Sequence, residues 1–395
     1  MKRWTRSSSR LALVLGALAM VAAACGSTDD TTTTTAAVAP DDTTTTTAAA
    51  TTTAPPEAMT DVTLQLQWFT QSQFAGYYAA VDQGFYEEVG LNVEILEGGV
   101  DIVPAVVLDS GAADFAISWV PRGLVPREEG LDITNIAQPF QRSATLQVSF
   151  KDAGITGVED LAGRTVGNWG FGNEFELLAG LRSAGLDPET DVDLVQQQFD
   201  MLALISGDID AAQAMIYNEY AQVLETVNPD TGELYQPEDL DVINWNDVGT
   251  AMLQDAIWAD EGRLASDPVY RETAVKFVEA SLRGWIYCRD NPGSCVDIVL
   301  AAGPTLGESH QTWQLNEINA LIWPSPLGVG IMDQALWDQT IEIATSEAIL
   351  SAPPTAGAFI TDIAQEAVDN LLSAGLDVIG NDWQRVDVVL VAGGD

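Results

Sequence analysis

The sequence predicts an α/β protein of two lobes, and three observations carry that expectation. Residues 61–395 form a body of 335 residues, longer than one hydrophobic core commonly serves. Near the start of that body the apolar spacing switches from two to three and four, as where a strand runs into a helix. About a hundred residues further on the same switch recurs.

The chain opens on a leader. Lys2, Arg3, Arg6 and Arg10 precede a 14-residue apolar run, Leu11 to Ala24, that stops at Cys25. The run is too short for a stable bilayer span and reads as a secretory signal over 1–24. Its "AAAC" ending, followed by Gly26 and Ser27, is similar to a bacterial lipoprotein signal, which implies a lipid on Cys25. Cleavage at a nearby alanine without a lipid is the alternative. Residues 25–60 are mostly Thr, Ala, Asp and Pro, with no apolar alternation, and are expected to form a disordered tether. The body is thus expected outside the cytoplasm, leashed to the cell membrane as a lipoprotein.

In the body, Leu64, Leu66 and Trp68 alternate with Gln65 and Gln67 as in a strand. Phe74, Tyr77, Tyr78 and Val81 follow at helical spacing, with Ser72 placed to cap the helix. "LNVEIL" alternates again, giving a β-α-β unit and hence a parallel sheet with a right-handed crossover. The second unit has a strand around Arg164 to Gly167, a Gly-rich turn, a helix from near Asn173 and a stop at Gly185. "DAAQAMIYNEYAQVLE" reads as a strand end entering a helix that carries Tyr217, Asn218 and Glu219, and "GTAMLQDAIWA" as an extended segment. After Asp267 the pattern is mainly helical, and those helices are expected on the outside of one lobe. Ligands sit beyond the carboxyl ends of parallel strands, where both Trp68 and Trp169 fall.

Charge narrows the partners. The chain has 16 Lys+Arg against 58 Asp+Glu, a formal net charge of −42. A phosphate backbone would be repelled, so nucleic acid is not an expected partner. Solubility in a salty or mildly acidic medium is the plain explanation of so acidic a surface. Cys288 and Cys295, in "YCRDNPGSC", suit a local disulfide in an exported protein. A metal site is not expected, because the single His310 has no closely spaced Cys or His partner.

"LQWFTQSQFAGYYAAVDQGFYEEVGLNVEI", "LDSGAADFAIS" and "GVEDLAGRTVGNW" closely resemble the solute-binding proteins of ABC importers in the family of nitrate, alkanesulfonate and thiamine-pyrimidine-precursor binders. Among these the sequence looks most like the vitamin binders, for riboflavin or a pyrimidine precursor. The resemblance runs from Val62 to about Leu372. It implies a type II periplasmic-binding-protein fold, two lobes joined by hinge strands that cross near Ala144 to Ser149 and near Gly249 to Ile257. The first lobe would take 61–145, the second 146–250, and 251–395 would return to the first with C-terminal helices. The resemblance further implies a permease and an ATPase as partners, and a monomer is expected.

By the same resemblance the cleft wall from the first lobe would carry Trp68, Gln73, Phe74 and Tyr77, with Trp119 from "AISWVPRG" nearby. The second lobe's turn would supply Trp169, Gly172, Asn173 and Glu174, and "AMIYNEY" would place Glu219, beside Tyr217, beneath a ligand ring. Aromatic faces stack on flat ligands, and amides both donate to and accept from ring heteroatoms. Such a cleft suits riboflavin or a thiamine pyrimidine precursor. Nitrate or an organosulfonate, the second reading, would call for arginines, hydroxyls or helix N-termini, and only "WVPRG" and "FQRSA" bring arginines to the proposed cleft segments. A third reading is the thiamine pyrimidine synthase branch, which needs a histidine in the first motif, a lysine for pyridoxal phosphate and a cysteine cluster. Gln71 to Phe74 offers no histidine, and Lys151 and Lys276 are the only lysines after the leader. No enzyme activity and no cofactor are therefore expected.

Overall fold

The computed structural model describes residues 59–394. The expected signal at 1–24, nearly all of the expected tether and Cys25 lie outside the described residues. Ten strands run in chain order: β1 Thr60–Gln65, β2 Leu91–Leu96, β3 Phe115–Trp119, β4 Ile133–Ala137, β5 Thr145–Phe150, β6 Thr165–Asn168, β7 Asp193–Gln196, β8 Ala212–Met215, β9 Leu240–Asn244 and β10 Asp255–Asp260.

The first lobe is built on a five-stranded sheet of order β2-β1-β3-β10-β4. β1 pairs in parallel with both β2 and β3, whereas β10 runs antiparallel to β3 and β4. In the second lobe β8-β5-β9 form an antiparallel sheet and β6-β7 a parallel pair. A parallel bridge from Val166 to Ala211 ties that pair to the approach of β8. The two lobes thus share one plan, a parallel core plus one antiparallel strand that arrives from the other lobe. The chain passes to the second lobe along 138–144 and returns along 245–254, so residues 145–149 of the first expected crossing already pair inside the second sheet. This is the periplasmic-binding-protein fold that the sequence predicts.

The local elements follow the sequence with two corrections. The helix after β1 spans Ala75–Asp82 and is preceded by a single 3-10 turn, Ser72–Phe74. Ser72 does not cap it, because its hydroxyl donates to the carbonyl of Gln311 at 3.0 Å. The helix at Glu219–Leu224 starts at Glu219, which leaves Tyr217 and Asn218 in the turn before it.

The long helix Pro268–Asp290 lies against Ala75–Asp82 at a distance that glycines set. A Cβ on Gly284 would collide with the carbonyl of Gly76, and one on Gly76 would enter the Trp285 ring. Around this contact Tyr86, Phe277 and Phe115 stack, with centroids 5.4 and 4.3 Å apart, and Tyr270 continues the column. Cys288 and Cys295 form a disulfide across the break at Asn291; Pro292 and Gly293 already belong to the next helix, Pro292–Ala302. Helix Glu308–Ile322 buries Leu315, Ile318, Leu321 and Ile322 in the first lobe's core. The last helices are Gln334–Ser346 and Asp362–Ser373. Among the described residues no helix is long and apolar enough to cross a membrane.

Candidate functional site

The ends of β1, β3, β6 and β8 converge on a cavity of about 480 Å3 between the lobes. That size falls within the range of small-molecule sites. From the first lobe come Gln67, Trp68, Gln71 and Gln73 after β1, and Trp119, Pro121 and Arg122 at the end of β3. From the second come Trp169, Phe171 and Asn173 after β6, Phe199 after β7, and Tyr217, Asn218 and Glu219 after β8.

Seven of the ten ligand-contacting residues expected from sequence therefore line one cavity: Trp68, Gln73, Trp119, Trp169, Asn173, Tyr217 and Glu219. The other three do not. Phe74 and Tyr77 turn into the core, where Tyr77 meets Trp285 edge-on at 5.7 Å. Helical spacing identifies the buried face but not which neighbour it meets. Glu174 stays behind the turn and accepts from the Gly172 N–H at 3.0 Å. Trp169 lines the cavity yet is largely buried, with its indole N–H donating to the Gln198 carbonyl at 3.2 Å. The exposed aromatic of that turn is Phe171, 74% accessible and at φ +55° between Gly170 and Gly172.

The aromatic walls touch through a residue that sequence reasoning missed. Phe199 sits 4.9 Å from Trp68 and 5.9 Å from Trp169, nearly parallel to the latter. Tryptophans from opposite lobes thus flank one phenylalanine. Beneath them lies a relay of amides. Gln314 donates to Gln71 at 3.0 Å, Gln71 to Gln73 at 2.7 Å, and Gln73 to Asp255 at 3.0 Å. Gln67 donates to the other oxygen of Asp255. Every link therefore points its N–H toward one buried carboxyl. Burial pushes Asp255 up to about 7, against the lowering pull of Gln73, Trp119, Gln67 and the Arg122 charge. Its sequence signal was a lone acid inside the apolar extended segment "AMLQDAIWA".

The relay continues into the second lobe. Gln314 also donates to Asn218 at 3.0 Å, and His310 holds Asn218 at 2.9 Å through Nε2 and Glu225 at 2.9 Å through Nδ1. Asn218 in turn donates to Glu219 at 2.9 Å, whose second carboxylate oxygen accepts from the Met215 N–H at 2.9 Å. Burial raises Glu219 above the ordinary carboxyl range. Helix Glu308–Ile322 thus bonds to both lobes behind the cavity, and its Trp313 donates to the Ile216 carbonyl at 2.9 Å. At the hinge, Glu176 takes Ser143 Oγ–H at 2.9 Å from one crossing and the Met252 N–H at 2.6 Å from the other. Burial lifts it, too, to about 7.

Two arginines were expected near the cleft. Arg142 lies away from the lining and donates to the carbonyls of Ala320, Leu321 and Pro324, at the end of helix Glu308–Ile322. Arg122 does line the cavity; burial lowers its pKa, opposed by Asp255. Among the described residues no group of His, Cys, Asp and Glu is placed to hold a metal ion.

A family model described as NMT1/THI5 like matches residues 71–294. The chain is 31% identical over 307 residues to the riboflavin-binding protein RibY of Chloroflexus aurantiacus, covering 75% of this chain and 83% of that one. It is 25% identical over 246 residues to the formylaminopyrimidine-binding protein of Halalkalibacterium halodurans, covering 62% and 71%. A 4-amino-5-hydroxymethyl-2-methylpyrimidine phosphate synthase of Legionella pneumophila matches a shorter stretch, 30% identical over 129 residues, 32% of this chain and 40% of that one. Among solved structures, the periplasmic aliphatic sulphonate binding protein SsuA of Escherichia coli superposes with a TM-score of 0.56 at 14% identity, covering 85% of this chain and 98% of that one.

Proposed function

The chain belongs to the NMT1/THI5-like family, and on that premise we propose that it is the extracytoplasmic solute-binding component of an ABC importer and captures a flat heteroaromatic vitamin or precursor. Riboflavin and thiamine pyrimidine precursors are the candidates. The observation that carries this reading is the pairing of aromatic walls from both lobes, Trp68 and Trp169 about Phe199, with a floor of amides. Aromatic walls supply stacking area, and amides read ring heteroatoms. Closing the lobes around the solute would mark the loaded state for a permease and its ATPase.

Intrinsic tryptophan fluorescence tests it, with riboflavin, a hydroxymethyl- or formylamino-pyrimidine, taurine and nitrate as titrants. Saturable quenching by a heterocycle, weakened roughly tenfold or more in Trp169→Ala, is the expected result. A response to taurine or nitrate alone would overturn it in favour of anion capture, which Arg122 in the lining favours.

Binding rather than catalysis is supported by the only histidine of the chain. His310 is buried and both ring nitrogens are held, by Glu225 and Asn218, so neither is free to serve as a base. We further propose a lipid on Cys25. Metabolic labelling with a radioactive fatty acid should mark the chain, and Cys25→Ala should release the protein into the medium; an unlabelled wild-type chain would exclude the anchor.

A further inference from the structure

Two buried polar atoms in the cavity lining lack a hydrogen-bond partner among the described residues: Gln67 Oε1 and Trp119 Nε1. Their residues are only 4% and 8% exposed, and both line the cavity. A polar atom buried unpaired has given up its water for nothing, so such atoms in a binding site ask for a ligand. Their characters are complementary, one an acceptor and the other a donor.

The orientation of Gln67 is not free. Its Nε2 donates to Asp255, so the amide oxygen is what Gln67 has left to offer. Trp119 lies near enough to the same carboxyl to help lower its pKa, though without hydrogen-bond geometry. Arg122, in the same lining, makes no ion pair or hydrogen bond among the described residues. One corner of the cavity therefore presents an acceptor beside donors.

We propose that the solute presents a ring N–H next to a ring carbonyl, the edge of an imide or cyclic ureide. The N–H donates to Gln67 Oε1, and the carbonyl accepts from Trp119 Nε1 and the Arg122 guanidinium. This rests on the heteroaromatic reading above and narrows it: the two lone pairs of a pyrimidinedione-type carbonyl can take both Trp119 and Arg122, whereas an aminopyrimidine that donates its amino N–H to Gln67 Oε1 offers a ring nitrogen whose single lone pair takes only one of them. Asp255, one layer behind, is the positioning residue that sets which end of Gln67 faces the ligand.

The test is a fluorescence titration of the purified chain with lumichrome, its N3-methyl derivative and 4-amino-5-hydroxymethyl-2-methylpyrimidine. Lumichrome should bind, and N3-methylation should weaken binding at least about tenfold by removing the N–H. In Gln67→Met, with an unchanged circular dichroism spectrum, the two alloxazines should bind alike. Equal binding of both by the wild-type chain, or binding of the aminopyrimidine but not of lumichrome, overturns the inference while leaving the heteroaromatic reading intact. No response to any heterocycle overturns both. Because the methyl comparison uses the unaltered protein, a variant that fails to fold does not spoil the test.

Discussion

Phe171 holds a left-handed backbone that a side chain other than glycine rarely adopts, and it is mostly exposed at the cavity mouth. Such a conformation costs roughly 1 kcal/mol or more, and residues that keep it cluster at ligand clamps. Phe171→Gly should therefore raise the urea midpoint, by roughly 1 kcal/mol of stability, while weakening solute quenching. A variant that lost stability would show that the ring packs more than it strains. Residue-scale chemistry is also where sequence reasoning reached least far. Trp68 and Trp169 were legible as cavity residues because both follow the carboxyl ends of strands. Asp255 was hidden among 58 acidic residues, and Phe199 lies in a loop with no periodicity to orient it. Phe74 and Tyr77 have the composition of ligand residues but turn into the core, Phe74 from the 3-10 turn and Tyr77 from the helix against Trp285.

At the scale of elements, the change of apolar spacing made β1, the helix after it and β2 legible, because sheet and helix periods are properties of the local chain. What the chain could not reveal is which helix lies on which. The contact between Ala75–Asp82 and Pro268–Asp290 depends on Gly76 and Gly284, about two hundred positions apart. Gly284→Ala should cost on the order of 2 kcal/mol through overpacking, read as a lower urea midpoint with an unchanged slope; a neutral result would mean that the helices can part without loss. Ser72 illustrates the same limit. Its position suits an N-cap, but Gln311 competes for its hydroxyl from a helix far along the chain.

At the scale of the whole molecule, two carboxyls tie stability to pH. Glu176 and Asp255 are both raised by burial to about 7, whereas an unfolded chain releases those protons near pH 4. Between these values the folded state holds protons that the unfolded state has lost. Stability should therefore fall as pH rises across that window and level off above it. Urea midpoints at pH 5.5 and 8 should differ by on the order of 2 kcal/mol per group. Glu176→Gln should remove its share of the slope, and an unchanged slope would deny that Glu176 titrates there. The chain crosses twice beside Glu176, along 138–144 and 245–254, and a body joined at two neighbouring points can swing as a door does. Helix Glu308–Ile322, rooted in the first lobe and bonded through His310 and Gln314 to Asn218 in the second, adds a further fastening, as do the last described residues, where the Gly393 N–H donates to the Glu225 carbonyl. Such bonds, the latch, must part before the door can open. His310→Ala should accordingly swell the solute-free protein in small-angle scattering, and the strength of the latch, more than the hinge, would then set how long the empty cleft stays shut.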